Sequence, residues 1–140
     1  MDIIDTFNIS GSGLTAQRVR LQSVASNMAN ARTTRSADGS HYQRRVPVLE
    51  SMPIDPFGDM MDQELATAEV AEVRVYDTPG IRRFDPTHPD ADGQGYVTMP
   101  DINILHEMVD MMTASRTYEA NANVVDVTKD MAMKALEIGR

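Results

Sequence analysis

Residues 101–139 read DINILHEMVDMMTASRTYEANANVVDVTKDMAMKALEIG and contain no proline and no internal glycine. Ile104, Met111, Tyr118, Val125 and Ala132 recur every seven residues. A second set follows four residues after each member of that series: Met108, Ser115, Ala122, Lys129 and Leu136. This spacing predicts one long α-helix with a mostly apolar stripe along one face. Asp101, directly after Pro100, is the expected N-cap residue.

The predicted helix is too long for the rest of the chain to cover. At 1.5 Å per residue it would extend about 55 Å, whereas a domain of this size is about 30 Å across. Part of its stripe should therefore contact other molecules. Small residues at positions 114, 115, 120, 122, 132 and 135 would let neighbouring helices approach closely.

The N-terminal residues carry a second apolar stripe, in which Phe7, Leu14, Leu21 and Met28 recur every seven residues. Glycines at positions 11 and 13 interrupt it, and a glycine inside a helix costs roughly 1 kcal/mol relative to alanine. We therefore expect a kink or break there, with the helix then continuing to about residue 31. Two amphipathic segments at opposite ends of a chain favour antiparallel pairing with each other.

Residues 32–100 have a different character and predict strands and loops. Alternating apolar residues predict strands over 41–50, 69–76 and 94–99, and Pro47 places the first of these at a sheet edge. Residues 59–68 predict a loop or a short helix. The expected fold class is α+β, with a β-containing middle segment between two assembly helices, residues 1–31 and 101–140.

Composition excludes several classes of protein. The net charge is −8, and thirteen of the 21 acidic residues fall within residues 51–110. Nucleic-acid binding is not expected, because phosphate requires basic patches. There is no cysteine, which excludes disulfides and thiolate chemistry. No Sec-type signal and no apolar run of the ~20 residues needed to span a bilayer is present, so composition alone predicts a soluble cytoplasmic protein with no direct membrane span.

One run has the composition of a metal site. Read as a calcium loop, residues 90–101 would supply oxygen ligands from Asp90, Asp92, Gln94 and Asp101. Against this, Asp101 replaces the usual bidentate glutamate, and prolines exclude an entering helix. The three histidines share no ligand spacing, and no convergent polar set indicates catalysis. We therefore expect no enzyme activity, no cofactor and no small-molecule substrate, with a calcium-dependent binding module kept as an alternative.

Several stretches resemble the axial proteins of the bacterial flagellum, which form its rod and hook. Residues 12–20 (SGLTAQRVR) and 27–34 (NMANARTT) resemble the N-terminal signature of that family. Residues 114–123 (ASRTYEANAN) and 135–140 (ALEIGR) resemble its C-terminal signature. Residues 85–103 (DPTHPDADGQGYVTMPDIN) resemble a segment that distinguishes one basal-body rod subunit. Together these five stretches comprise 52 of the 140 residues of the chain.

The resemblance implies a structural subunit of the proximal rod, the shaft that crosses the bacterial periplasm and transmits torque. In this family the terminal helices form a coiled-coil-like layer around a central export channel. The subunits are exported through the flagellar type III apparatus without a cleaved signal peptide, which replaces the cytoplasmic location expected from composition. The implied partners are other rod proteins, further copies of the chain and the export apparatus.

The expected assembly interface combines the two apolar stripes with asparagines of the two signatures. Its residues are Phe7, Leu14, Leu21, Met28, Asn27, Asn30, Ile104, Met108, Met111, Tyr118, Asn121, Ala122, Val125 and Leu136. The chain departs from the family pattern at Arg32 and in having two glycines near position 12, without changing the resemblance. A soluble helical adaptor that forms a closed coiled coil with one partner stays open as a further alternative.

Overall fold

In a computed structural model, the described residues are 3–36, 39–54 and 65–138. Two long helices occupy the ends of this range, α1 (Ile3–Asn30) and α2 (Ile104–Ile138). A small β-region lies between them in sequence. The predicted α+β class is therefore confirmed.

The strands form two separate antiparallel hairpins. The first pairs β1 with β2, and the second pairs β3 with β4; the four strands are β1 (Arg44–Pro53), β2 (Ala66–Tyr76), β3 (Ile81–Phe84) and β4 (Tyr96–Met99). The three predicted strands are confirmed with shifted ends, whereas β3 was not predicted. The loop or short helix predicted for residues 59–68 is wrong for 66–68, which open β2, and residues 59–64 lie outside the described residues.

Pro47 lies in β1, opposite Val73 of β2. Since this sheet has two strands among the described residues, both are edge strands, and a proline there removes no ladder bond that the sheet requires. The β1–β2 hairpin packs against α1. Val97 of β4 is buried. The Thr34 hydroxyl donates a 2.7 Å hydrogen bond to Asp90, which lies in the loop that precedes β4.

The two helices pair antiparallel. Gly13 lies against Asn121 near the middle of both helices, and Asn27 at the end of α1 donates a hydrogen bond to Glu107 at the start of α2. The buried residues of α2 are Glu107, Ala114 and Thr128. The sequence predicts instead that Met108, and the residues at seven-residue intervals from it, share the buried face with the series that begins at Ile104. The buried face is centred one residue earlier, on Glu107 and Ala114. Its side chains are small or polar, so apolar periodicity does not indicate it.

The alignment of Gly13 with Asn121 and of Asn27 with Glu107 places residue 3 level with about residue 131 of α2. Residues 132–138 consequently extend past the described part of α1. Leu136 and Ile138 in this extension are largely exposed. At 1.5 Å per residue the extension is about 10 Å long.

Helix α1 is continuous through both glycines, so the break predicted as one possibility there is wrong. A Cβ atom at Gly13 would lie only 2.8 Å from Asn121 Nδ2, which shows that this glycine permits close approach of α2. The Ser12 hydroxyl accepts a 3.1 Å hydrogen bond from the Ala68 amide of β2. Tertiary contacts on both sides thus offset the low helix propensity of the segment.

The two glycines should respond differently to the same substitution. A Cβ atom at Gly11 would meet nothing within 4 Å, so Gly11→Ala is expected to raise the free energy of unfolding by about 1 kcal/mol. Gly13→Ala should give little or no gain, because the Asn121 side chain must move away. Urea unfolding followed by circular dichroism measures both values. Equal gains at the two positions would contradict the close helix contact.

Helix α2 begins at Ile104, three residues after the predicted N-cap. The side-chain oxygen Oδ1 of Asn103 accepts hydrogen bonds from the amides of Leu105 (3.0 Å) and His106 (3.4 Å). Asn103 is therefore the N-cap residue, and the prediction of Asp101 is corrected. Asparagine and aspartate cap helices about equally well, so sequence alone could not choose between them.

Candidate assembly surface

A buried polar cluster joins α1, α2 and β1. Asn27 is 1% exposed, and its side-chain amide pairs with the main chain of Arg45, donating to the carbonyl oxygen (2.8 Å) and accepting from the amide (2.9 Å). The Tyr42 hydroxyl donates to Asn27 Oδ1 at 3.1 Å. Asn27 Nδ2 also donates to Glu107 Oε2 at 3.0 Å. The Asn27 side chain therefore hydrogen-bonds to the edge of β1 that does not pair with β2, as another strand would.

Glu107 of α2 is also 1% exposed and is held from two sides. Arg44 of β1 reaches its Oε1 atom through Nε and Nη2, each at 2.7 Å. Arg20 pairs with Asp110 at 3.1 Å one turn further along α2. A buried carboxylate costs several kcal/mol unless it is paired in this way, and its best-attested role is to fix register. The cluster therefore specifies how α1, α2 and β1 align.

Few bulky apolar side chains are fully buried on either helix. The buried residues of α1 other than Asn27 are Ser10, Ala16, Ser23 and Val24, and those of α2 other than Glu107 are Ala114 and Thr128. Burial of apolar surface contributes about 25 cal/mol per Å², and small side chains offer little of it. Many bulky apolar residues of α2, Leu105 and Met112 among them, are exposed.

The first turns of α2 carry an exposed apolar patch, called here the outer stripe: Leu105, Met108, Val109 and Met112. Their spacing of three and four residues places them on one face of the helix. Leu105 is 70% exposed and Met112 is 55% exposed. Further along, Val124, Val127 and Met131 are exposed as well. Exposed apolar patches are a feature of protein interaction sites, so the outer stripe is the candidate assembly surface.

The carboxylate of Asp92 in the calcium-like run is engaged by protein groups. Its Oδ1 atom accepts hydrogen bonds from the amides of Gln94 and Tyr96, both at 2.9 Å. Its Oδ2 atom accepts from Arg82 Nη2 at 2.7 Å. These bonds close the turn that leads into β4. The arrangement is a structural turn between two strands.

The other carboxylates of the run do not converge with it. Asp90 accepts from the Thr34 hydroxyl at 2.7 Å and lies 3.9 Å from Arg35, and Asp101 is exposed ahead of α2. Over residues 3–36, 39–54 and 65–138, no group of three or more histidine, aspartate or glutamate side chains is placed to hold a metal ion. The structure does not favour the calcium alternative.

Asp92 should titrate at unusually low pH. The amide of Tyr96, supported by that of Gln94 and by Arg82, holds the pKa of this carboxyl below its ordinary value of 3.8. Because the folded-state pKa is lowered, the interaction adds stability above the ordinary pKa and loses it as pH falls through the folded value. Carboxyl NMR should give a midpoint below 3.8, with the Gln94 and Tyr96 amides losing exchange protection over the same range. A midpoint at or above the ordinary value would refute the assigned bonds.

Comparison with known proteins identifies the family. A family model described as "Flagellar basal body rod FlgEFG protein C-terminal" matches residues 94–138. The flagellar basal-body rod protein FlgC of Aquifex aeolicus is 41% identical over 98% of this chain and 97% of its own. The FlgC proteins of Bacillus subtilis and Borreliella burgdorferi are 37% and 36% identical, with coverage of at least 98% on both sides.

The chain belongs to the FlgC family of flagellar basal-body rod proteins. It is therefore a structural protein of the flagellar basal body and not an enzyme. The family model covers β4 and the whole described length of α2, including the outer stripe. The closed coiled-coil adaptor and the calcium-dependent module are not favoured by membership in the FlgC family. None of the helices described for the chain is long and apolar enough to cross a membrane.

The residues predicted as an assembly interface fall into three classes of exposure. Asn27 is buried, and three residues are exposed, Met108, Tyr118 and Leu136. Ten are half-buried, most of them along the edges of the helix pair: Phe7, Leu14, Leu21, Met28, Asn30, Ile104, Met111, Asn121, Ala122 and Val125. Sequence reasoning did not select Leu105, Val109 or Met112, although their spacing of three and four residues was available as a signal.

Two of the predicted asparagines have hydrogen-bond partners within the chain. Asn27 is buried in the polar cluster, where its side chain is bonded to Arg45, Glu107 and Tyr42. Asn30 donates to the Ser26 carbonyl and accepts from the Thr33 hydroxyl at the end of α1. Their role in this structure is to connect and terminate elements of one subunit.

Proposed function

We propose that the chain polymerises with other rod proteins and with further copies of itself, using its terminal segments, residues 1–31 and 101–140, as assembly helices. The product is the proximal part of the rod, in which these helices surround the export channel. The middle segment, residues 32–100, lies on the outside. In this position the protein transmits torque along the shaft across the periplasm.

The observation that carries the proposal is the distribution of apolar side chains on α2. The fully buried residues of α2, Glu107, Ala114 and Thr128, have small or polar side chains, whereas those of the outer stripe are exposed to solvent. A chain that functioned alone would gain stability by turning its bulky apolar residues inward. Their outward placement is accounted for when neighbouring subunits cover them.

The contacts between subunits are proposed to be heterologous. The exposed face of α1 carries mainly small and polar residues, whereas the exposed face of α2 combines many bulky apolar residues with charged ones. Two such unlike faces pair head to tail, which generates rings or open helical filaments instead of closed two-fold dimers. A shaft of many subunits requires this type of contact.

Export through the flagellar type III apparatus without a cleaved signal peptide is part of the proposal, supported by the resemblance of both ends of the chain to axial proteins. In a strain lacking that apparatus, the protein should accumulate inside the cell. Its mass there should equal that of the protein in the rod. A shorter chain in the rod would show that a leader is removed.

Fractionation tests the proposed location. Detergent-stripped basal bodies from a flagellated strain should retain the protein, and washing that removes peripheral proteins should not release it. Sedimentation of the purified chain at rising concentration provides a second measurement, because open-ended assembly increases in size while a closed complex stops at a fixed size. A protein found only in the soluble fraction, or one that saturates as a dimer, would overturn the proposal.

A further inference from the structure

The exposed face of α1 has two features that its own subunit does not explain. Ile4, Gly11, Arg18 and Ala25 recur every seven residues and so lie along one line of the helix. Gly11 lowers helix stability, yet a Cβ atom there would meet nothing within 4 Å. Arg18 is exposed, and among the described residues it has neither an ion pair nor a side-chain hydrogen bond.

A matching line runs along the exposed face of α2. Leu105, Met112, Glu119, Asp126 and Met133 also recur every seven residues, and all five are exposed. Two acidic residues lie at its centre, with apolar residues toward both ends. Neither Glu119 nor Asp126 has an ion-pair partner in the part of the chain that the structure describes. The two lines therefore carry opposite charges at comparable positions.

We propose that the exposed face of α1 in one copy docks on the exposed face of α2 in a second copy, with Arg18 paired to Glu119. This rests on the proposed function, and it specifies the partner and the register. When copies are related by rotation about an axis parallel to their helices, α1 of one copy runs antiparallel to α2 of the next. Pairing Arg18 with Glu119 then places Ala25 opposite Met112 and Ile4 opposite Met133.

This register is compatible with a lateral contact between copies that lie nearly level. Within one subunit, the alignment of Gly13 with Asn121 and of Asn27 with Glu107 places residue 18 level with about residue 116. Pairing residue 18 with residue 119 of the next copy shifts that copy by three residues, or about 4.5 Å along the helix axis. Gly11 and Ala25 leave room for the neighbouring helix to approach closely.

Charge reversal tests the contact in cells. In a strain whose own gene is deleted, Arg18→Glu alone and Glu119→Arg alone should each reduce the amount of protein in purified basal bodies by about tenfold, because like charges are brought together. Co-expression of the two variants should restore both incorporation and motility. Each variant then meets its opposite at both faces, so only a contact between copies can be rescued in this way.

The control is Arg83→Glu, which makes the same charge change at an exposed position of β3 and should leave incorporation unchanged. Normal incorporation of both single variants would overturn the proposed contact. So would loss of incorporation without rescue on co-expression, since that result places another protein on one of these faces. In either case the wild-type protein would still fractionate with basal bodies, which keeps this test separate from that of the proposed function.

Discussion

Met112→Asp is expected to prevent incorporation into the rod and to abolish motility while leaving the isolated subunit folded. The Met112 side chain is 55% exposed in the outer stripe, so an aspartate there remains solvated in the monomer. In an assembled rod the same carboxylate would be covered by a neighbour without a partner, which costs several kcal/mol. Since about 1.4 kcal/mol corresponds to a factor of ten, occupancy in basal bodies should fall at least tenfold.

Basal-body immunoblots and swimming assays measure the effect, and circular dichroism with thermal unfolding confirms that the subunit is folded. Met52→Asp is the matched control, because Met52 is 47% exposed on β1 and lies outside both helices. Met52→Asp should incorporate normally. A motile Met112→Asp strain with wild-type occupancy would show that the outer stripe is not an assembly surface.

Asn27→Ala is expected to lower the free energy of unfolding by roughly 3 kcal/mol. The substitution leaves the amide and carbonyl of Arg45 without their side-chain partners and removes one donor from the buried carboxylate of Glu107. Each buried polar group left unsatisfied costs about 1–3 kcal/mol. For a domain of this length the melting temperature should fall by about 6–12 °C.

Asn30→Ala provides the comparison at the same residue type, three residues further along α1. Asn30 makes only local bonds, to Ser26 and Thr33, so its loss should cost about 1 kcal/mol or less. Urea unfolding of the two variants gives the difference directly. Similar losses at both positions would mean that the polar cluster does not hold β1 to the helices.

The helices and most strands could be predicted because their periodicities are local properties of the chain. The face of α2 that contacts α1 could not be predicted, because the apolar-periodicity rule assigns apolar residues to the buried face. This subunit instead buries Glu107 and Ala114 and exposes Leu105 and Met112. The rule fails where apolar side chains serve contacts with other molecules.

Other features depend on contacts between residues that are distant in sequence. Gly11 and Gly13 look alike in the sequence, and only the approach of Asn121 distinguishes them. The pairing of Asn27 with Arg45 joins a helix to a strand edge, and no spacing rule indicates it. The heptad lines of the two exposed faces were available in the sequence, but the structure was needed to show which lines face outward.

The unequal length of the two helices has a mechanical consequence. Because α2 continues about 10 Å beyond the described start of α1, the helix ends within one layer of subunits do not finish at the same height. In a shaft built from such subunits, the ends of α1 and α2 would meet the next layer at different heights, so that the two layers interlock. In the rod that we propose, such an interlocked boundary would resist twisting of one layer against the next.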